Sequence, residues 1–188
     1  CCLFLGLREG EELGLAWEHI DFENGKALIC QQLQKEKTAH GAFYIKHSTK
    51  TGQSRTLDLP DFLINILKEE QRRQTLARIA AGPAWGNEWG LCFTDALGGC
   101  INPHTLWANC KRIAKSIGLP DARVHDLRHT NATLALVNGV DLKTVQANLG
   151  HSTAAFTLQR YVHATEQARR AAADQMQQLY ENQIRKAQ

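Results

Sequence analysis

The sequence predicts a mainly α-helical domain with a small antiparallel β-sheet of three strands, which is an α+β fold. Two observations favour this fold class. Over long stretches of the chain, apolar residues recur three to four positions apart, as on one face of a helix. Between residues 20 and 59, short alternating runs are instead separated by turn signals typical of hairpins. The chain has 188 residues, of which 43% are hydrophobic and 22% charged, and this is enough to bury the core of one domain.

The N-terminal segment, residues 3–17, predicts two short helices joined by a turn. Its leucines lie at roughly helical spacing, and Gly6 interrupts them. Arg8 follows this turn and Glu11 lies one helical turn later, a pattern that on its own is typical of an exposed ion pair. The chain starts at Cys1 inside an apolar run with no cap before it, so we expect the domain to be truncated at this end.

Three strands are predicted at 26–33, 42–48 and 55–59. An Asn-Gly pair, a strong turn signal, precedes the first of them. Lys50 lies in a glycine-containing turn at the tip between the second and third strands. A lysine at such a tip is usually only solvated, but a mobile cation there could also reach the leaving group of a ligand.

The remainder of the chain predicts helices at 61–79, 103–117, 123–138 and 141–148, a helix from Thr153 onward, and an amphipathic helix at 166–186. The expected buried positions are Phe62, Ile66, Leu67, Leu76 and Ile79 in the first, Leu106, Trp107, Cys110, Ile113 and Ala114 in the second, and Leu127, Leu134 and Val137 in the third. The second helix carries a basic stripe of Lys111, Arg112 and Lys115, which alone is also typical of a solvated helix face.

Composition limits the function classes. The net charge of +3 is mild, so any nucleic-acid surface must be local. None of the six cysteines forms a C-x-x-C pair, which disfavours a zinc knuckle and favours a reducing, cytoplasmic environment. No apolar run approaches the roughly 20 residues that a membrane span needs.

His125 and His129 have the i, i+4 spacing of a metal-binding pair on a helix. However, Asp126 stands where a zinc peptidase has glutamate, and no third ligand is evident. We therefore expect no metal. His129 is expected nearer the core than His125, where a histidine is usually a hydrogen-bonded structural residue.

A second set of residues brings together His125, Arg128, His151 and Tyr161 within 37 positions of helical sequence. A phenol with a pKa of about 10 is a poor nucleophile at neutral pH. It becomes an effective one when a base takes its proton and cations stabilise the charge that forms on the attacked atom. Arginine suits a phosphate target, because its planar fork bonds two oxygens at once.

Taken together, these motifs resemble the tyrosine recombinases, or phage-type integrases. GLREGE at 6–11 is similar to the family's first box, with Arg8 as its arginine, and KTGQSR at 50–55 to its hairpin lysine, Lys50. HDLRH at 125–129 resembles the second box and LGH at 149–151 the third. Tyr161 follows ten residues later, where the family has its nucleophile. All these motifs in order are far more specific than any one of them alone.

The resemblance implies the tyrosine recombinase catalytic-domain fold and a catalytic set of Arg8, Lys50, His125, Arg128, His151 and Tyr161. Tyr161 would attack a DNA phosphodiester, giving a 3′-phosphotyrosine and a free 5′-hydroxyl. Glu11 would orient Arg8 or His125, and His129 would support the catalytic residues. The expected DNA contacts are Arg55, Lys111, Arg112 and Lys115. No metal or other cofactor is implied.

The resemblance also implies partners and domain organisation. We expect residues 1–188 to form a single catalytic domain that lacks the family's N-terminal DNA-binding part, with the helix at 166–188 docking on a neighbouring protomer. The partner is double-stranded DNA, on which the full-length protein would form a homotetramer. The fragment alone is expected to be a monomer. Accessory DNA-bending or directionality proteins would assist recombination.

Other functions fit parts of the same pattern. A type IB topoisomerase shares the chemistry but reseals the strand without exchanging partners. A non-catalytic DNA-binding module would keep only the scaffold, and an acid–base ribonuclease would use the two histidines and Lys50. Within the recombinases, the region 31–42 favours, by its resemblance, an integrase of a phage or conjugative element over a resolvase of chromosome dimers.

Overall fold

The computed structural model describes residues 1–36, 42–47, 54–150 and Gln177. Within these ranges the helices are α1 (Cys2–Leu5), α2 (Glu9–Leu13), α3 (Asp61–Ala81), α4 (Pro103–Ser116), α5 (Val124–Val137) and α6 (Leu142–Leu149). The strands are β1 (Ile20–Asp21), β2 (Lys26–Ile29), β3 (Gln32–Lys35), β4 (Phe43–Lys46) and β5 (Arg55–Asp58), and short 3-10 helices occupy Trp17–His19 and Gly82–Ala84. The predicted fold class is thereby confirmed. The helices predicted from Thr153 onward and at 166–186 lie outside the described residues, apart from Gln177.

The strands form two antiparallel sheets rather than one. β2 lies between β1 and β5 in a three-stranded sheet, while β3 and β4 pair separately. The prediction of one continuous strand over 26–33 was therefore wrong. The break falls at Cys30 and Gln31, where the buried Gln31 amide donates to the Gly14 carbonyl at 2.8 Å. A Cβ on Gly14 would lie 2.5 Å from the Leu33 nitrogen, so the backbone of β3 packs directly against the end of α2. In this position β3 does not pair with the first sheet.

The core lies between the three-stranded sheet, the N-terminal helices and α3, and its members are Leu5, Leu7, Leu15, Ile20, Ala27, Ile29, Leu57, Leu59, Leu63, Leu67 and Cys92. The predicted buried face of α3 is wrong except at Leu67. Phe62, Ile66, Leu76 and Ile79 are all exposed. The helix instead buries Leu63, Leu67 and Gln74.

Gln74 explains why hydrophobicity misplaced the buried face of α3. Its amide nitrogen donates to the carbonyls of Leu91 and Cys92 at 3.2 and 2.8 Å, and its amide oxygen accepts from the Trp17 indole at 3.0 Å. Each polar atom of this buried side chain therefore has a partner, and a satisfied polar group can be buried at little cost. A pattern based on apolar residues alone assigns such a position to the surface.

The predicted inward faces of α4 and α5 were also partly wrong. Trp107 and Ile113 of α4 are exposed, and so are Leu134 and Val137 of α5. A groove of about 360 Å³, lined mainly by apolar residues, runs between α4, α5 and the N-terminal helix α1. α5 buries Val124, Arg128 and Ala132 instead, because α5 packs against both α1 and α6.

Gly6 allows that packing. It ends α1 with φ at +62°, in the left-handed region, and a Cβ there would lie 2.5 Å from Leu149 Cδ2 and 2.8 Å from Asn131 Oδ1. No other residue type combines this backbone conformation with such a close approach. The first turn, α5 and the end of α6 consequently meet at one point.

We expect Gly6→Ala to lower the free energy of unfolding by about 2–4 kcal/mol, since the strained φ and the overpacking add together. Gly139→Ala is the matched control, because its φ is +86° and no atom lies within 4 Å of the added Cβ. It isolates the backbone cost of about 1–2 kcal/mol. Urea unfolding of both variants measures the difference, and equal losses would contradict the close approach at Gly6.

A membrane-crossing helix is absent from the described ranges, because none of their helices combines sufficient length with sufficient hydrophobicity.

Candidate active site

Arg8 is held at the start of α2 by Glu11. The Arg8 backbone N–H donates to Glu11 Oε2 at 3.0 Å, and Arg8 Nη1 donates to Glu11 Oε1 at 2.7 Å. Glu11 therefore caps the first turn of the helix and fixes the guanidinium of the residue before it. The Glu11 carboxylate is buried, whereas the Arg8 side chain keeps 19% of its surface exposed. This exposure leaves Arg8 accessible to an anionic ligand.

Arg55, the first residue of β5, binds the same carboxylate. Its Nη1 and Nη2 donate to the two Glu11 oxygens at 3.1 and 2.7 Å. Its Nε donates to the Asn148 carbonyl at the end of α6, at 2.6 Å. Burial alone would raise the pKa of Glu11, but the bonds and charges of Arg55 and Arg8 outweigh burial and hold that pKa below its ordinary value. Glu11 is therefore ionised at neutral pH.

Arg128 lies on the buried face of α5 and is only 2% exposed. Its Nη1 donates to the Gly6 carbonyl and its Nη2 to the Leu149 carbonyl. Burial, together with the Arg8 cation, lowers the pKa of Arg128 to about 9. The guanidinium thus stays charged at neutral pH.

Three arginines converge on the last turn of α6. Arg55, Arg128 and Arg8 donate to the carbonyls of the consecutive residues Asn148, Leu149 and Gly150, the last at 2.9 Å. We call Arg8, Arg55 and Arg128 the arginine cluster. Unpaired carbonyls make the C-terminal end of a helix partially negative, so it attracts cations.

The arginine cluster retains excess positive charge. Among the described residues, Glu11 is the one carboxylate that hydrogen-bonds to the cluster, and the carbonyls of α6 carry only partial charge. Burial is the largest cause of the lowered pKa of Arg128; the Arg8 and Arg55 cations lower it further, and Glu11 opposes them. A monovalent anion such as a phosphodiester would reduce this excess.

His125 lies one turn before Arg128 on α5 and is exposed. Partial burial and the Arg128 cation lower the pKa of His125 below 6.5. The imidazole is therefore neutral at pH 7 and able to accept a proton. The His129 ring stands nearly perpendicular to the His125 ring, with centroids 4.6 Å apart. His129 is less exposed than His125, which agrees with its predicted position nearer the core.

Lys50, His151 and Tyr161 lie outside the described residues. Lys50 precedes Arg55 of the arginine cluster by five residues, and His151 directly follows Gly150, whose carbonyl accepts from Arg8. The structure therefore brings together Arg8, Glu11, His125 and Arg128 of the predicted catalytic region.

The basic stripe on α4 is exposed. The Lys111 ammonium lies 5.5 Å from the centroid of the Trp107 ring, within cation–π range. The Arg112 guanidinium makes a long contact of 3.4 Å with Asn109, and Lys115 is also exposed. Within the described part of the chain, no cluster of three or more histidine, cysteine or acidic residues could hold a metal ion.

Sequence reasoning assigned Arg55 to DNA contact and missed its membership of the arginine cluster. Its side chain is 9% exposed, and each of its three nitrogens donates to a protein oxygen. One signal was available, because Arg55 and Lys50 share the KTGQSR motif. The carbonyl partners at the end of α6 carry no sequence signal at all.

The model of the phage integrase family matches residues 2–168. A tyrosine recombinase XerC-like protein of Caldanaerobacter subterraneus subsp. tengcongensis is 36% identical over 183 residues, which is 93% of this chain and 47% of that protein. An integrase of Saccharopolyspora erythraea is 32% identical over 224 residues, covering 93% of this chain and 51% of the relative. The chain thus spans about half the length of these curated relatives.

Solved structures show the same fold. The Tn1549 transposon integrase in complex with transposon right end DNA superposes with a TM-score of 0.73 at 24% identity, covering 93% of this chain and 56% of that one. The XerH site-specific recombinase, in a post-cleavage complex with palindromic difH substrate, gives a TM-score of 0.61 at 27% identity. The match covers 92% of this chain and 42% of XerH. With a family model that matches nearly all of the described residues, and with boxes that carry the arginines of the cluster, this chain belongs to the phage integrase family.

Proposed function

We propose that this chain is the catalytic part of a site-specific DNA recombinase of the integrase type, which cleaves and rejoins strands through a 3′-phosphotyrosine. The observation that carries the proposal is the convergence of Arg8 and Arg128 on adjacent carbonyls, those of Gly150 and Leu149, directly before His151. Two boxes that are 120 residues apart in the chain thereby deliver cations to one point.

In this mechanism Tyr161 attacks the phosphorus of a DNA phosphodiester. The phosphorus–tyrosine bond forms as the bond to the 5′-oxygen breaks. Arg8 and Arg128 bind the non-bridging oxygens, whose negative charge grows in the transition state. Lys50 protonates the departing 5′-oxygen, and His151 donates a hydrogen bond to the phosphate. The phosphotyrosine retains the bond energy, so attack by the 5′-hydroxyl of another strand reseals the backbone.

His125 takes the proton of Tyr161 and returns it on reversal. Its lowered pKa, caused by partial burial and the Arg128 cation, supports this role, because only the neutral imidazole accepts a proton. His129, whose ring packs edge-on against it, orients the base.

The DNA duplex lies, in our proposal, across the basic stripe of α4 as well as over the catalytic residues. Lys111, Arg112 and Lys115 are exposed and contact backbone phosphates. The Tn1549 transposon integrase is in complex with transposon right end DNA, and XerH is bound to palindromic difH substrate, which supports duplex DNA as the partner here. The full-length protein assembles as a tetramer on its sites, with residues 166–188 docking on a neighbouring protomer and accessory proteins bending the DNA.

The pH dependence of cleavage tests the base. We expect the single-turnover rate to be constant between pH 7 and about pH 8, which is below the Arg128 pKa of about 9. The rate should fall as the pH drops through the pKa of His125, which is lowered from its ordinary value. The sign follows because protonation removes the acceptor form. His125→Gln should remove this acid limb and slow the reaction by about 10²-fold or more, while His104→Gln, an exposed histidine on α4, should leave the profile unchanged. If the rate of His125→Gln still fell at low pH as in the wild type, this histidine would be excluded as the base.

The proposed function itself is tested by covalent capture. Full-length protein is incubated with a library of nicked suicide duplexes, and DNA attached to protein under denaturing conditions is sequenced. We expect a 3′-linked adduct enriched for one site, and an equal yield with excess EDTA, because no metal takes part in the steps above. The absence of any adduct would favour a non-catalytic DNA-binding module. Supercoil relaxation without intermolecular products would favour the topoisomerase alternative.

A further inference from the structure

Arg55 connects three separate parts of the site. Its guanidinium binds both oxygens of Glu11, which in turn holds Arg8, and its Nε binds the Asn148 carbonyl of α6. These contacts join β5, which follows Lys50 in the sequence, to the first box and to α6, the helix that precedes His151. No other side chain in the described ranges makes hydrogen bonds to both Glu11 and the end of α6 except Arg8 itself.

The chain passes Arg55 closely as it leaves α6. A Cβ on Gly150 would lie 3.1 Å from Arg55 Nη1 and 3.4 Å from its Cδ, and Gly150 has φ at +61°. The guanidinium therefore packs against the backbone that leads into His151. A movement of Arg55 would shift this exit point as well as Glu11.

Arg55 has little capacity left for a DNA phosphate. Each of its three nitrogens already donates to a protein oxygen, and its side chain is 9% exposed. A phosphate contact would require at least one of these buried bonds to break. By contrast, the side chain of Arg8, its neighbour on Glu11, is about twice as exposed at 19%.

We propose that Arg55 is a positioning residue for strand cleavage, which fixes the catalytic Arg8 through Glu11 and fixes the approach to His151 through Asn148. This inference rests on the proposed recombinase function. It makes Arg55 a determinant of the rate of the chemical step rather than of DNA affinity. A displacement of about 1 Å in a catalytic group can reduce a rate by about 10²-fold, so a residue that never touches the substrate can still control the rate.

The geometry requires arginine specifically. The planar fork presents donors in fixed directions, two toward a carboxylate and one toward a carbonyl on another side. A lysine ammonium at this position would keep the charge but could not bind both Glu11 oxygens and the Asn148 carbonyl with the same fixed orientation. Arg55→Lys therefore separates the need for a positive charge from the need for these bonds.

The experiment uses full-length protein and a suicide duplex carrying its captured site. We measure DNA affinity over a range of salt concentrations, and the single-turnover rate of adduct formation at saturating DNA. For Arg55→Ala and Arg55→Lys we expect the rate to fall by roughly 10–100-fold, with the affinity and its salt dependence close to wild type. Arg72→Ala is the matched control, because Arg72 is an exposed arginine on α3 paired with Glu69, and it should cleave at the wild-type rate.

Three outcomes would overturn the inference. A wild-type rate in Arg55→Ala would exclude positioning. A wild-type rate in Arg55→Lys would show that charge alone suffices. Weaker binding, with a salt slope reduced by about 1 and an unchanged rate at saturation, would identify a phosphate contact instead.

Folding and the proposed function are controlled separately. Thermal unfolding of each variant shows whether it is folded at the assay temperature, and if Arg55→Ala is not, Arg55→Lys retains the apolar stem and carries the same expectation. Failure of the wild-type protein to form any adduct would reject the recombinase function. A wild-type adduct with unimpaired Arg55 variants would reject only the positioning role.

Discussion

Replacing Tyr161 with phenylalanine is expected to eliminate the covalent protein–DNA adduct completely while leaving non-covalent binding to the duplex intact. The substitution removes a single oxygen, which is the atom that bonds to phosphorus in the proposed mechanism, and the aromatic ring remains. No other group substitutes for a nucleophile that forms the intermediate itself. Denaturing gels of the suicide-substrate reaction measure the adduct, and gel-shift titration measures the binding.

Tyr44→Phe provides the control for Tyr161→Phe. Tyr44 lies exposed on β4, and its hydroxyl donates to Gln34 at 2.7 Å, away from the arginine cluster and its contacts. This variant removes the same oxygen from the same residue type and should form adduct at the wild-type rate. An adduct that persists in Tyr161→Phe would remove Tyr161 from the mechanism and direct the search to another nucleophile.

Replacing Arg128 with alanine is expected to slow cleavage by at least about 10²-fold, the cost of losing one donor that stabilises transition-state charge. It should also destabilise the fold. Arg128 is buried, and its loss leaves the carbonyls of Gly6 and Leu149 without their donor, at about 1–3 kcal/mol for each unsatisfied group. Rates must therefore be compared per folded molecule, with urea unfolding giving the folded fraction.

Arg128→Lys and Arg73→Ala complete this comparison. Lysine keeps a buried positive charge but loses the fork that reaches two acceptors, so we expect a slow enzyme here as well. Arg73 is a half-exposed arginine of α3 paired with Glu70, and its removal should change neither rate nor stability appreciably. A folded Arg128→Ala protein that cleaves at the wild-type rate would refute the assignment.

The elements of the fold follow closely from local patterns. The turn at Gly6, the Asn-Gly turn before β2 and the proline that starts α4 were all readable, because each depends on the backbone preference of one or two residues. Which helix face is buried was less readable. Gln74 lies in the core because Trp17, Leu91 and Cys92 supply its partners, and all three are distant in sequence.

The candidate site shows the same division. Arg8 and Arg128 were identifiable from their boxes, and in the structure they donate to the adjacent carbonyls of Gly150 and Leu149. Arg55 was predicted to contact DNA, yet its donors bind Glu11 and Asn148. A basic residue at the start of a strand gives no indication of whether a carboxylate from another segment lies within reach.

By itself the sequence determined the order of the described helices, the location of the strands between residues 20 and 59, and the set of chemical groups in the boxes. These features depend on local backbone preference and on residue identity. Only the tertiary structure decided that three guanidinium groups share the carbonyls of Asn148, Leu149 and Gly150 around one buried carboxylate. The physical reason is that these partners are backbone atoms at the end of a helix. Every residue has such a carbonyl, so residue type does not show which carbonyl a distant arginine will bind. These hydrogen bonds form only when packing at Gly6 brings the segments together.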